Sequence, residues 1–560
     1  MKKKEEISGN GISRRDFIKG AATGAAAVAA ASVLPGCATA GPGAGRADTP
    51  QGGDWLGEAP NIPDRQIAET MNCDVLVIGA GMGGLLAAAR AVENRLSVIV
   101  VDKNETGAGI KNYIGAIDSR LMKAQNIRID KGEIIHELTR YCAGRLDVPL
   151  LKVWADESGA AVDWFLDIMA RYNIETHLEW DIGNPAALYK TWPICHGFDF
   201  ADAKDVENAL HSVINANGKI LFQTPMKRLV QERGRVAGAI MQRADGSYLR
   251  VTASRGVVLS TGGYSRDYNM MMHLNPYAIR GVSSTPNRRG ITGDGIRAGL
   301  WAGGAFEKFH TAMIFDRSTL PPGTKTSGPP PHPDSRPFRL VSQPFLRVNL
   351  LGERFSNEST PYDFAVHHVA NQPDNKWVTV FDSNWREHVA RFAATGCVRL
   401  VPVDGGPVFE PFVNHENILQ ALLTRGNVQQ ADTFEELARK VLLPPDTFGR
   451  TVRRYNELCD RGVDEDFYKE SYRMIKLDRP PYFACLSAGS LLCTLDGLRI
   501  DTNMRALDIN SKPIEGLFCT GNDSGGFFSS TYPSRVVGIA AGRTLTFSKR
   551  IADLLAGRVS

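Results

Sequence analysis

Cys73-Asp74-Val75-Leu76-Val77-Ile78-Gly79-Ala80-Gly81-Met82-Gly83-Gly84 is the stretch whose reading decides the fold. Residues 75–78 form a short apolar run of mostly β-branched side chains, the pattern of a strand buried on both faces. Gly79, Gly81 and Gly84 then match GxGxxG, and Leu85-Leu86-Ala87-Ala88-Ala89-Arg90 continues as a helix. The first glycine makes the tight turn, the second lets backbone approach a pyrophosphate, and the third lets helix and strand pack closely. Ala80, Met82 and Gly83 complete the turn. The pyrophosphate is expected at the helix N-terminus, where unpaired N–H groups and the positive dipole end favour an anion. A second apolar strand, residues 97–101, ends in Asp102 and Lys103. An acidic residue about 20 positions past the glycines is well placed to accept hydrogen bonds from a ribose. The motif alone does not separate NAD from FAD.

The chain has 560 residues, long enough for roughly two or three domains. It is 43% hydrophobic and 22% charged, with 55 glycines, as suits a globular protein whose backbone often approaches a ligand closely. A net charge of +4, with no basic run and no RNA-binding signature, argues against a nucleic-acid partner. Nine cysteines include no CxxC or CxxCH, so neither a c-type haem nor an iron–sulfur cluster is expected. Several lie in apolar runs and read as core thiols. The histidines lack metal-ligand spacing, and no metal is expected.

The first 53 residues read as a leader and tether. Ser13-Arg14-Arg15-Asp16-Phe17-Ile18-Lys19 is a twin-arginine signal, followed by an alanine-rich apolar stretch at 21–34. That stretch is too short for a membrane span. Leu34-Pro35-Gly36-Cys37 has the form of a lipoprotein cleavage site with Cys37 as the lipidated residue, and Ala38-Thr39-Ala40 offers ordinary cleavage instead. The expected location is periplasmic, or anchored to the outer side of a membrane.

Further along, Asn112-Tyr113-Ile114-Gly115-Ala116-Ile117 is a second glycine-punctuated loop, with Ala116 and Ile117 as candidate ligand contacts. Helical periodicity runs over 131–172 and again over 202–215. Short strands are predicted at 219–222, 227–231, 236–243 and 248–252, with Met226 at the head of the second. Gly256-Val257-Val258-Leu259-Ser260-Thr261-Gly262-Gly263 is a further buried strand, ending in Thr-Gly-Gly. Thr292-Gly293-Asp294-Gly295 opens a helix, and Gly521-Asn522-Asp523 follows a late strand. Amphipathic helices at 433–442 and 445–460 and a closing helix at 537–555 complete the reading.

These elements resemble, in order and spacing, the fumarate reductase/succinate dehydrogenase flavoprotein superfamily over nearly all of residues 72–555. The strand ending in Thr261-Gly262-Gly263 is similar to an element of its two-dinucleotide-binding members. The resemblance implies FAD, and an α/β architecture with a Rossmann-like FAD-binding domain and an inserted α+β capping domain. The implied boundaries are 72–304 and 489–560 for the FAD-binding domain and 305–488 for the cap. It implies flavin contacts at Asp294, at Asn522, and at Val536 and Val537 in front of the last helix. Covalent members attach the flavin through a histidine in the loop after the second strand; residues 103–120 contain none, so non-covalent FAD is expected.

The same resemblance bears on catalysis. His310 falls at one histidine position of the fumarate reductases, but Tyr362 stands where their proton-donor arginine would be. The second histidine region reads Leu491-Leu492-Cys493-Thr494-Leu495-Asp496-Gly497, without histidine. A dicarboxylate is therefore not expected. The NES-x-PYD pattern around Tyr362 and the late Tyr532-Pro533 resemble the 3-ketosteroid dehydrogenases. That branch implies proton transfer by Tyr362 and a ketone-polarising tyrosine, for which Pro481-Tyr482-Phe483-Ala484 offers Tyr482. A phenol suits proton transfer, since neighbours adjust its ordinary pKa of about 10. The expected function is oxidoreduction of a C=C bond conjugated to a carbonyl in a large, mostly uncharged small-molecule substrate. A separate haem-protein or quinol-linked redox partner is implied. Rival readings are an aryl-acrylate reductase clamping a carboxylate with Arg535, and a flavin electron-transfer subunit.

Overall fold

The computed structural model describes residues 55–107, 109–178, 188–198, 202–285, 290–325, 332–392 and 412–559. The expected leader, Cys37, and part of the proline-rich connection after Leu320 lie outside the described residues. Gly52–Ser560 forms one compact unit.

Among the described residues, eight strands form the sheet that carries the glycine turn. Ile67–Ile78 lies at its centre, parallel to Val98–Val101 with Val75 opposite Val98 and Ile78 opposite Val101. On its other side it runs parallel to Tyr248–Leu259, which in turn pairs parallel with Pro513–Cys519. Val75 to Ile78 are each at most 3% exposed, which explains an uninterrupted apolar run where a half-buried strand would alternate. The predicted strands at 248–252 and 256–259 are one strand of 12 residues. It runs parallel to Ile67–Ile78 along its whole length, while its other edge pairs antiparallel with Arg235–Gln242 at first and parallel with Pro513–Cys519 at the end. The helical stretch 131–172 breaks into Lys131–Tyr141 and Val148–Arg171. Ala143 and Gly144 turn the chain at positive φ, and Pro149 restarts the helix where its missing N–H costs nothing.

A second sheet of seven strands is built around Tyr482–Thr494. Ala312–Leu320, Trp377–Asp382 and Val428–Ala431 pair with it antiparallel, and Val282–Ser284 parallel. The sheet thus draws strands from both sides of the expected 305–488 segment. It has its own apolar clusters, one around Leu346, Val380, Phe448 and Tyr482 and another around Phe345, Phe381 and Phe483. A larger cluster fills the dinucleotide half.

Candidate active site

The glycine turn opens onto a cleft lined by Gly79, Gly81, Asp102, Lys103, Met226, Thr261, Gly262 and Asp294, among others. The turn is as tight as its glycines imply. A Cβ on Gly79 would meet Ser260 O at 2.3 Å, one on Gly83 would meet Ser260 Oγ at 2.6 Å, and one on Gly84 would meet Gly79 O at 1.9 Å. The helix Met82–Glu93 starts at this cleft with no side-chain cap, so its first N–H groups are left for an anion. Asp102 is tied into the turn. Ala80 N–H donates to its Oδ2 (2.7 Å), and Asn104 donates to its Oδ1 through the backbone (2.8 Å) and side chain (2.9 Å). Oδ2, with a single donor, keeps a lone pair for a ribose hydroxyl. Across the cleft, Lys103 Nζ donates to Asp294 Oδ2 (2.5 Å) and Thr292 Oγ1 (2.6 Å). Backbone N–H groups for a pyrophosphate and carboxylates for hydroxyls suit the adenosine-diphosphate half of FAD.

The other half of the site lies where the closing helix Ile539–Leu555 begins. Gly115 N–H donates to Gly538 O (2.9 Å), bringing the loop that carries Ala116 and Ile117 against Val536 and Val537. The approach is close enough that a Cβ on Gly542 would stand 1.8 Å from Gly115 O. Asn522 accepts from Arg543 Nη2 at 3.3 Å. These are the surfaces on which the flavin end would rest.

Two residues that the motifs do not mark hold this region together. Asp523 is wholly buried and accepts from Thr261 N–H (2.5 Å), Thr261 Oγ1 (3.0 Å) and Gly263 N–H (3.1 Å), pinning the Thr-Gly-Gly turn. Burial pushes its pKa up to about 6 despite these donors. Arg543, also wholly buried, donates to Gly521 O (2.8 Å) and Ser524 O (3.3 Å), and burial pulls its pKa down to about 10. An arginine inside the apolar closing helix was the available signal for a buried cation.

Tyr362 heads the helix Tyr362–His368 and is 3% exposed. Its ring stands edge-on to Phe315 at 4.9 Å, with the Arg317 guanidinium 5.7 Å from its centre. The next residue, Asp363, stitches this helix to the turn before the closing helix. Thr531 Oγ1 donates to Asp363 O at 2.8 Å, and Ser534 Oγ donates to its carboxylate. Burial raises the Asp363 carboxyl to about 7, while Ser534 and Arg535 hold it back. Arg535 is buried with its guanidinium 5.6 Å from the Tyr189 ring. Tyr532 is buried beside Phe528, 5.7 Å between centroids.

His310 lines an adjoining cavity with Tyr141, Tyr277, Ile314, Phe364 and Thr531. Tyr141 and Phe364 stack at 4.7 Å, so much of the wall is flat and aromatic. Tyr482 is not brought to this place. It stacks on Phe434 at 4.0 Å within the apolar cluster around Leu346, Val380 and Phe448. It opens the strand Tyr482–Thr494, whose Ser490 lies opposite Phe315. Eight residues at ~3.3 Å each put Tyr482 roughly 25 Å from the part of the strand nearest Tyr362. The expected ketone-polarising contact therefore corrects to a packing position: strand length carries Tyr482 away from the site.

Comparison with known proteins agrees with this geometry. A family profile described as "FAD binding domain" matches residues 74–538. The vinyl phenol reductase of Lactiplantibacillus plantarum is 28% identical over 495 residues, covering 85% of this chain and 94% of that protein. The 3-oxosteroid 1-dehydrogenase of Mycobacterium tuberculosis is 28% identical over 53% of this chain and 52% of its own. In fold, the 3-ketosteroid Δ1-dehydrogenase of Sterolibacterium denitrificans superposes with a TM-score of 0.66 at 20% identity, over 87% of this chain and 100% of that one. With its glycine turn, the cleft that suits FAD and these relatives, the chain belongs to the FAD binding domain family, as an FAD-dependent oxidoreductase acting on C=C and CH–CH groups.

Proposed function

We propose that the protein reduces a C=C bond conjugated to a carbonyl in a large, mostly uncharged substrate, with Tyr362 supplying the proton. The observation that carries this reading is the stitching of Asp363 to Thr531 and Ser534, which ties Tyr362 to the turn leading into Val536 and Val537. Bound FAD supplies the hydride. Tyr362 Oη gives its proton to the carbon next to the carbonyl, and the negative charge that gathers on the carbonyl oxygen is thereby discharged. The phenol regains its proton from solvent. The cavity beside it, with the stacked rings of Tyr141 and Phe364 in its wall, offers flat apolar surface to such a substrate. Reduction is favoured over dehydrogenation because the vinyl phenol reductase aligns along nearly its whole length. A separate redox partner delivers the electrons.

A second reading, reduction of an aryl acrylate held by Arg535, draws on that residue's burial against Tyr189. The test is anaerobic reoxidation of dithionite-reduced protein, followed by flavin absorbance, with benzalacetone, a 3-ketosteroid and cinnamate as oxidants. Oxidation by the ketones that survives Arg535→Leu supports the enone reading. Oxidation by cinnamate alone, abolished by Arg535→Leu, overturns it. We also propose twin-arginine export with lipidation of Cys37, resting on residues 13–19 and 34–37. Recovery of a Cys37→Ala protein in the same membrane fraction as wild type would refute the lipid anchor.

A further inference from the structure

His310 and Asp496 lie 186 residues apart, and the fold brings His310 Nδ1 to 2.7 Å from Asp496 Oδ2. Asp496 is wholly buried, and the same oxygen accepts from Tyr264 Oη at 2.7 Å. A carboxylate oxygen has only acceptor sites, so the nitrogen facing it carries a hydrogen. Phe306 stacks on the imidazole at 5.3 Å and is itself edge-on to Tyr264. The ring is thus held on one face and along one edge. His310 lines the aromatic cavity, and with Nδ1 turned to Asp496 its Nε2 is the ring nitrogen left to meet a ligand there.

The surroundings of Asp496 favour a paired charge there. Its Oδ1 has no hydrogen-bond partner among the described residues. Glu307 lies behind it, accepting from Gly497 N–H at 3.2 Å and from Gly526 N–H. Burial first, and Asp496 second, push Glu307 well above its usual value. Among the described residues the charge partner within ion-pair distance of Asp496 is His310. A buried carboxylate without a cation costs several kcal/mol, which a protonated imidazole offsets.

We propose that Asp496 is a positioning residue that fixes His310 with Nδ1 protonated and stabilises its imidazolium, so that Nε2–H donates to the substrate oxygen on which negative charge develops. As hydride reaches the far carbon of the double bond, the electron pair moves onto that oxygen. His310 meets the charge there, and Tyr362 delivers the proton to the near carbon. This fills the polarising role that Tyr482, out of reach in the second sheet, does not perform. Only the oxygen His310 faces rests on the enone reading; the state of the ring does not.

The test uses the FAD-loaded full chain with 15N-labelled histidine. His310, assigned by loss of its signals in His310→Gln, should show Nδ1 protonated with a strongly deshielded proton, and Asp496→Asn should shift or remove that proton. In reoxidation of the reduced protein by benzalacetone, Asp496→Asn should lower turnover per flavin at least about tenfold, with KM within about threefold and flavin content unchanged. An unprotonated Nδ1 in wild type, or a His310 signal unchanged in Asp496→Asn, would overturn the proposal. So would wild-type turnover per flavin in Asp496→Asn, which would make Asp496 a brace for the Gly497 turn. Failure of every enone to oxidise the flavin, with the histidine signature intact, would sink the substrate reading and leave the positioning of His310 standing.

Discussion

Tyr362→Phe removes one oxygen atom and leaves the rest of the ring. The contacts fixed in the structure, edge-on to Phe315 at 4.9 Å and under the Arg317 guanidinium at 5.7 Å, belong to the ring and survive. The side chain is 3% exposed, so losing the hydroxyl costs no more than the worth of a hydrogen bond, about 1 kcal/mol of stability. Flavin content should not change, because the glycine turn and the closing helix are untouched. If Tyr362 delivers the proton, turnover should fall at least about a hundredfold, the scale of losing a general acid. That loss corresponds to about 2.7 kcal/mol in the barrier, well beyond the packing cost. The assay is stopped-flow reoxidation of the dithionite-reduced variant by benzalacetone without oxygen, with rates scored per bound flavin beside a thermal melt. A rate within about threefold of wild type, with an unchanged melt, would show that Tyr362 only packs.

Four further outcomes follow from the geometry. Tyr482→Phe should keep turnover within about twofold of wild type, as for any lost hydroxyl remote from the chemistry; a hundredfold loss would return Tyr482 to the site. Gly81→Val and Asp102→Ala should both lower FAD occupancy, the glycine variant more severely, because a side chain there fills the space of the pyrophosphate; full flavin content in purified Gly81→Val would remove the pyrophosphate from that turn. FAD should be released on acid precipitation, leaving a colourless pellet, since residues 103–120 contain no histidine to hold it covalently. The fourth concerns pH. Burial raises Asp363 from 3.8 to about 7, so the folded chain holds a proton there that the unfolded chain gives up. Stability should therefore fall as pH rises from about 4 to 7, and Asp363→Asn should flatten that slope in urea unfolding. A slope unchanged by the substitution would count against a buried, proton-holding Asp363.

The sequence by itself determined the dinucleotide half. The apolar run 75–78, the three glycines and Asp102 act within one strand–turn–helix unit, where sterics and local hydrogen bonds decide the geometry. The hairpins and most helices were legible for the same reason: their periodicity and turn residues are local. Local signals misled where the periodicity ran on across a turn, as between Lys131–Tyr141 and Val148–Arg171, and where one long strand pairs antiparallel on one side and parallel on the other, as Tyr248–Leu259 does. What only the tertiary structure decided is which distant residues meet. Tyr362 and Tyr482 look alike as candidates in the chain. Hydrogen bonds from Thr531 and Ser534 to Asp363 set one beside the turn before the closing helix, and a 13-residue strand carries the other into the apolar cluster of the second sheet. Asp496 beside His310, and Asp523 beneath Thr261, are set by pairings across 186 and 262 residues. Burial gives those carboxylates their force, and it arises only once the sheets have closed over them.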